Sequence, residues 1–302
     1  MEIKIGERTI NFEHLEIQEH NNLTIIPLKS EGSSKTDILS LKKGLDMSLV
    51  IVKECEPESV ENVMVTNNAV TPLLLIDGEE IIGAKQNRII NKSTIIPAKT
   101  TMKISVSCTE KGRWEYKNES KEGFSCSPYI ANSNTRRAKA NTNELHLRQN
   151  IVWDSIDELE SRGEYRSKTS AMNDNYNNLN HKQEEYLNHF IILNGQTGLI
   201  AIIDNEVRGI EIFNNPEIYK EYHEKIIKSY IIDSFNGKNS KNNIKIKEIE
   251  KILNNISESV FIKEDNVGLG ESIKFSNNHG SGSALIYDDE LVHMPYFKEY
   301  NL

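Results

Sequence analysis

Cysteine, positive charge and long apolar runs are all scarce in this chain. Its three cysteines, Cys55, Cys108 and Cys126, form no C-x-x-C pair and leave an odd number, so neither a disulfide framework nor a zinc clip is expected. That usage fits a reducing cytoplasm. Lysine and arginine number 36 against 45 aspartates and glutamates, a net charge of −9 with a pI near 5.5. No global positive field exists to hold a nucleic-acid polymer. No apolar run approaches the ~20 residues that cross a bilayer. The start, Met1-Glu-Ile-Lys-Ile-Gly6, has neither the basic nor the apolar region of a signal peptide. The eight histidines make no H-x-x-x-H or H-E-x-x-H pattern, so no metal site is expected. In Gly268-Leu-Gly270-Glu-Ser-Ile-Lys274 an isoleucine stands where a dinucleotide fingerprint needs its third glycine, and no cofactor is expected.

What is present is apolar material for one large domain or two smaller ones, 37% of 302 residues. Asparagine is abundant at 34 residues, with doublets dispersed between ordered-looking segments, a pattern of exposed turns rather than of a polar tract. Short β-branched runs separated by turn residues predict strands throughout the first 110 residues, from Glu2–Ile5 to Thr101–Ser107. A polar stretch follows Trp114 to about Asn134. Leu145, Val152, Ile156 and Leu159 recur at helical spacing, and His181–Leu193 reads as a second helix. The strongest helix signal is Pro216–Phe235, with Asn215 as cap, Pro216 in the first turn and Gly237 beyond the end. Another helix is predicted over about Lys241–Ser257, and strands around Gly268, Gly270, Gly280 and Gly282. The fold class is therefore α+β. A β-rich N-terminal part, about 1–115, with hairpins, packs on a mixed part, about 136–302, containing three to four helices. The expectation is a single compact domain over 1–302, with a ligand cleft between its parts and the polar segment Ser161–Asn180 as a loop covering it.

Three segments repeat one pattern: Leu74–Gly83, Ala201–Gly209 and Ala284–His293 each place apolar residues before Asp, a turn residue and Glu or Asp-Glu. All three read as β-hairpins with tight turns at Asp-Gly, Asp-Asn or Asp-Asp. Duplication and independent recurrence of a good turn both account for the likeness.

The chemistry concentrates between Asp77 and Trp114. Ala84-Lys85-Gln86-Asn87-Arg88 inserts polar residues between apolar strands, and strand alternation aims Lys85 and Asn87 one way, Gln86 and Arg88 the other. Whichever pair faces inward needs carboxylates, backbone or a ligand as partner. Beyond Cys108 come Glu110, Lys111, Gly112, Arg113 and Trp114. Arginine forks match phosphates, amides read base edges and tryptophan stacks on bases. Lys85, Gln86, Asn87, Arg88, Arg113 and Trp114 thus form a nucleotide-sized constellation, and the same residues equally form a buried ion-pair network pinning two strands. Glu79 with Glu80, or either with Glu110, offers general acid and base, although adjacent glutamates on a strand point oppositely. Cys108 is separated from Arg113 by four residues, one short of a phosphatase loop, and reads as an ordinary strand-end thiol.

Leu75-Ile-Asp-Gly-Glu-Glu-Ile-Ile-Gly-Ala-Lys-Gln-Asn-Arg88, Asn91-Lys-Ser-Thr-Ile-Ile-Pro-Ala98 and Ile104-Ser-Val-Ser-Cys-Thr-Glu-Lys-Gly-Arg-Trp114 resemble the ARG and rhodanese-phosphatase-superfamily-associated protein domain. Arg136-Arg137, Gln149 with Val152-Trp153, Gly198–Phe213 and Gly280–Phe297 resemble its later blocks. The family is named for its association with ADP-ribosylglycohydrolases and rhodanese-phosphatase-like proteins in prokaryotic conflict systems. The resemblance implies binding, or sequestration, of an ADP-ribose or other NAD-derived nucleotide in a bacterial or phage cytoplasm. Lys85, Gln86, Asn87, Arg88, Arg113, Trp114, Arg136 and Arg137 are the implied ligand residues, with Glu79 and Glu110 as catalytic candidates. A hydrolase on the same ligand class and a non-catalytic interaction module are the alternatives. A homo-oligomer is compatible with each.

Overall fold

A computed structural model describes residues 1–32, 34, 36–116, 123–142, 144–162, 165–235, 237, 243 and 245–299. Among them are seven helices and nineteen strands, 40% strand and 27% helix, a β-rich α+β fold. The chain opens with β1 (Glu2–Ile5), β2 (Arg8–His14), β3 (Gln18–His20) and β4 (Leu23–Ser30). β5 (Leu39–Ser40) runs into the short α1 (Leu41–Asp46), where the Ser40 hydroxyl accepts from Lys43 N–H as an N-cap. Then come β6 (Val50–Glu54), β7 (Asn62–Asn67), β8 (Leu73–Leu75), β9 (Glu79–Gly83), β10 (Arg88–Ile90), β11 (Thr94–Ile96) and β12 (Thr100–Cys108). The N-terminal half is β-rich, as its β-branched runs predict.

Further along lie β13 (Phe124–Ile130), α2 (Ser133–Ala140), α3 (Leu145–Arg162), α4 (Met172–Asn178), α5 (Asn180–Leu187), β14 (Gly198–Ile203) and β15 (Glu206–Ile212). The chain finishes with α6 (Pro216–Ser234), α7 (Ile246–Ser257), β16 (Val260–Glu264), β17 (Glu271–Asn277), β18 (Gly280–Tyr287) and β19 (Glu290–Lys298). Six helices rather than three or four thus follow residue 132. The extra ones are short and polar, such as Met-Asn-Asp-Asn-Tyr-Asn-Asn in α4, and too brief to display a 3.6-residue period. The expected loop at Ser161–Asn180 contains α4, and the second predicted helix stops at Leu187 instead of Leu193. Of the helix predicted from Lys241, residues 241, 242 and 244 lie outside the described set. No helix among the described residues is long and apolar enough to cross a membrane.

The chain forms two compact units that interleave in sequence. The first, residues 1–36, 183–266 and 270–302, is built on a ten-stranded antiparallel sheet in the order β1-β2-β4-β14-β15-β19-β18-β17-β16, with β3 also paired to β4. One face carries Ile200, Ile202, Ile210 and Ile212 into a core with Ile249, Leu253 and Ile256 of α7. The spacing of those three places them on one helical stripe. α6 packs on the other face, where the Tyr230 hydroxyl stands so close to β15 that a Cβ at Gly209 would meet it at 2.1 Å.

The second unit, residues 37–182 and 267–269, has a six-stranded sheet, β13-β9-β10-β12-β7-β6, and a three-stranded sheet, β11-β8-β5. The bridge between Lys53 and Gly123 joins the two ends of the six-stranded sheet, closing it around Val52, Val63, Val65, Ile81, Ile90 and Val106. Two of the three expected hairpins form. β14–β15 turns at Asp204 and Asn205 and β18–β19 at Asp288 and Asp289, all four with φ between +51° and +65°, as a type I′ turn requires. The third is a correction: β8 and β9 belong to different sheets. Asp77-Gly78, with Gly78 at φ +81°, carries the chain from one sheet to the other.

Candidate functional site

The site is built where β9, β10 and β12 meet at one end of the six-stranded sheet. After Ile82 the backbone breaks: Gly83 has φ +124°, open to glycine, and Ala84 has φ +41°. The Asn87 carboxamide then closes the loop by accepting Gly83 N–H at 3.1 Å. Residues 84–87 are therefore a bend and not a strand, and the expected alternation fails. Gln86, Asn87 and Arg88 are all buried, and Lys85 alone of the four reaches outward.

Antiparallel register sets Arg88 opposite Cys108, so the turn that follows Cys108 lies beside the 84–87 loop. Gln86 Nε2 donates to the Glu110 carbonyl at 3.0 Å and Asn87 N–H to Glu110 Oε2 at 3.3 Å. Arg113 completes the frame. Its Nη1 donates to the carbonyls of Ala84 and Glu115 at 2.6 and 2.7 Å, and its Nη2 to Glu110 Oε2 at 2.6 Å and Asn87 Oδ1 at 3.3 Å. Two of the sequence motifs thus converge into one hydrogen-bonded body.

Arg88 is different. Its Nη1 donates to Gln86 Oε1 at 2.8 Å, but among the described residues Nε and Nη2 have no hydrogen-bond partner, although the side chain is fully buried. Glu54 Oε1 stands 3.9 Å from Nη2, and Glu54 Oε2 is equally without a hydrogen-bond partner. Burial pushes the Glu54 carboxyl up, against the pull of Arg88, and burial lowers the Arg88 guanidinium, beside which the Cys108 sulfur also lies. Above Arg88 sits the Trp114 ring, 5.5 Å from the guanidinium carbon and 43% exposed. Lys85 Nζ lies 5.6 Å from the same ring and 5.4 Å from Tyr116, and pairs with Glu58 Oε2 at 2.6 Å. Cation and ring faces attract at such distances.

The carboxyls separate by role. Glu79 and Glu80 are both fully buried on opposite sides of β9. The Cys126 thiol meets Glu79 Oε1 at 3.5 Å. Glu80 accepts from Thr109 Oγ1 at 3.0 Å, Ser127 Oγ at 2.7 Å and Asn173 Nδ2 at 3.1 Å. Burial, opposed by those three bonds and helped by the nearby Glu110 charge, pushes its pKa to about 7. Glu110 Oε1 accepts from Thr169 Oγ1 at 2.8 Å. Glu80 is thus a carboxyl whose titration feels Glu110. Arg136 and Arg137 lie on α2: Arg136 is buried with Nε 3.6 Å from Asp77 Oδ2, alongside Lys139 Nζ at 2.9 Å from Oδ1. The aspartate read as a hairpin residue is the anchor of two buried cations.

Sequence reasoning passed over Glu54, Thr169 and Asn173. The last two come from the polar segment expected to be a loop, which docks instead through backbone bonds from Gly112 N–H to the Thr169 carbonyl at 2.8 Å and from Met172 N–H to the Thr109 carbonyl at 2.9 Å. Gly112 permits that approach, since a Cβ there would lie 2.9 Å from Thr169 Cα. Cys108 is buried, its thiol donates to the Glu110 carbonyl at 3.3 Å, and burial raises its pKa, the opposite of what a nucleophile needs. Among the described residues no three His, Cys, Asp or Glu side chains group to hold a metal ion.

Fold and site together define a β-rich α+β protein with a buried guanidinium–carboxylate cluster under an exposed aromatic and cationic rim. Residues 11–297 match the ARG and Rhodanese-Phosphatase-superfamily-associated Protein domain, and the chain belongs to that family. No curated protein and no solved structure matches it.

Proposed function

We propose that the rim formed by Lys85 and Trp114 over the buried Arg88 binds an ADP-ribose or other NAD-derived nucleotide, and that the protein sequesters this ligand in a prokaryotic or phage-encoded cytoplasmic conflict. The observation that carries the reading is that Arg88 Nε and Nη2 have no hydrogen-bond partner among the described residues, with Glu54 held off at 3.9 Å from Nη2, beneath a half-exposed indole. A buried donor left unpaired costs about 1–3 kcal/mol, and phosphate oxygens are good partners for a guanidinium. Trp114 offers a face on which a base stacks. Lys85, held by the exposed carboxylate of Glu58, exchanges that partner for a phosphate at little cost. Gln86, Asn87, Glu110 and Arg113 are already engaged with one another and frame the rim. Titration calorimetry with ADP-ribose, NAD and cyclic ADP-ribose isomers tests this. Heat from one of them, lost in Trp114→Ala, is expected; silence from all three rejects the reading.

A second reading, hydrolysis of the same ligand class, is favoured by one observation. Glu80 and Glu110 are neighbouring buried carboxyls, and burial holds Glu80 near 7, where it serves as acid or base at neutral pH. Chromatography of nucleotide after incubation decides: product formed by the native chain and absent with Glu80→Gln, while binding persists, identifies an enzyme.

A further inference from the structure

A guanidinium presents two parallel donors along one edge, Nε with Nη2, and it is this whole edge of Arg88 that has no hydrogen-bond partner among the described residues. Nη1 alone is engaged, with Gln86 Oε1 at 2.8 Å and the Asn87 carbonyl at 3.4 Å. Glu54 does not fill the edge. Its Oε1 stands 3.9 Å from Nη2 and accepts Lys85 N–H at 3.2 Å instead, while Oε2 has no hydrogen-bond partner among the described residues. The side chains of Arg88 and Glu54 are 0% and 5% exposed, so neither turns to water. Buried polar groups are normally satisfied, and an unsatisfied donor edge beside an unsatisfied carboxylate oxygen fits a place kept for a third group.

We propose that Glu54 is a stand-in counter-ion for Arg88: a ligand phosphate takes the Nε and Nη2 edge, and Glu54 then holds a proton from the solvent on Oε2 and donates it in a hydrogen bond to that phosphate. The proposal rests on the nucleotide reading above and adds its regulation, the coupling of binding to proton uptake. Confinement requires the proton. Tied to Lys85 N–H and enclosed, the carboxylate cannot swing outward when an anion arrives, and two like charges sharing one guanidinium disfavour ionisation of the weaker acid. The esterified phosphates of ADP-ribose are strong acids, so the weaker acid is Glu54. The groups facing it are Arg88 from β10, Lys85 from the 84–87 bend and Glu58 beyond β6, with Cys55 next in the chain; Cys108 and Arg113 face Arg88 in turn. Burial and the Glu58 charge favour the acid, Arg88 and Lys85 the carboxylate. A phosphate that engages Arg88 removes the larger of the two opposing charges. Entry requires the half-exposed Trp114 ring, 5.5 Å from the guanidinium carbon, to shift.

Calorimetry of the full chain in two buffers of different ionisation enthalpy counts the protons taken up on binding. The probes are ADP-ribose and inorganic sulfate, neither of which titrates near neutral pH. Uptake approaching one proton is expected, with affinity rising by up to about tenfold for each pH unit as pH falls. Glu54→Gln should bind with no uptake and an affinity indifferent to pH, because its amide donates to the phosphate whether the solution is acidic or basic. In the native chain, infrared difference spectra should gain the carbonyl stretch of a buried carboxylic acid on binding, a readout that does not depend on how the variant folds. ADP-ribose bound without proton uptake, or with uptake unchanged in Glu54→Gln, overturns the proposal and leaves the nucleotide reading standing. Silence from ADP-ribose while sulfate binds with Glu54-dependent uptake rejects the nucleotide and keeps the proton-linked anion site. Silence from both probes overturns the two together.

Discussion

Arg113 and Arg88, two guanidiniums in one cluster, have opposite fates. Arg113 divides its Nη1 and Nη2 donors among carbonyls, Asn87 and Glu110, so it acts as the keystone of the 84–87 loop. Removing one member of a buried pair leaves the other charge uncompensated, at a cost of about 3–5 kcal/mol. Arg113→Ala should therefore move the denaturant midpoint strongly, and Lys85→Ala, whose partner Glu58 is exposed, should barely move it. Comparable losses from both would refute the keystone role. The residue types alone announced a polar cluster at 85–88 and 110–114, because cations and amides between apolar strands must find partners. They did not announce Glu54. A glutamate closing a five-residue strand looks like any other, and its place beside Arg88 follows from how β6 sits at the end of the closed sheet.

Elements carry their own tests. The Asn215 carboxamide accepts from Glu217 and Ile218 N–H at 2.9 and 3.2 Å at the start of α6, so Asn215→Ala should cost about 1 kcal/mol in an equilibrium melt. A change under a few tenths would mean that packing of the buried helix makes the cap redundant. Gly112→Ala should cost more than an ordinary surface substitution, because its Cβ runs into the backbone at Thr169; a neutral outcome would show that α4 and its lead-in move aside freely. Strands and capped helices were legible because their signals are local: alternation, turn residues, a cap and a period. α2 and α4 were not, being shorter than the window in which a helical period becomes visible. The Asp-Gly turn at 77–78 was misread for a related reason. Turn chemistry fixes backbone angles but not which sheet receives the next strand, and here β9 pairs with β10 and β13 rather than β8.

For the whole molecule, two buried groups tilt the pH profile in opposite directions. Glu80 titrates near 7 when folded against 4.5 for its ordinary value, so the folded state holds the extra proton between those limits. Its contribution is fully present below 4.5 and lost as pH rises through 7, about 3 kcal/mol in all. Burial lowers His223 below 6.5, so its contribution is full above 6.5 and lost as pH falls through its folded value. Glu80 makes native stability fall between about pH 4.5 and 7, with His223 opposing that fall only below 6.5, and at pH 8 the native chain should stand lower than Glu80→Gln. The amide carries no charge to bury, and the Ser127 and Thr109 hydroxyls can turn to accept from it. Equal melting temperatures of the two at pH 8 would contradict a buried, ionised Glu80. By itself the sequence determined the β-rich character, the long capped helix, two of the hairpins and the residues of the polar cluster, since each follows from neighbours in the chain. Only the tertiary structure decided that β1–β4 share a sheet with β14–β19 and that a polar segment supplies Thr169 and Asn173 to the site. It also decided that Glu80 is held by Thr109, Ser127 and Asn173. Those outcomes depend on strand pairing and burial between residues distant in sequence, for which the pleat and the turn set no address.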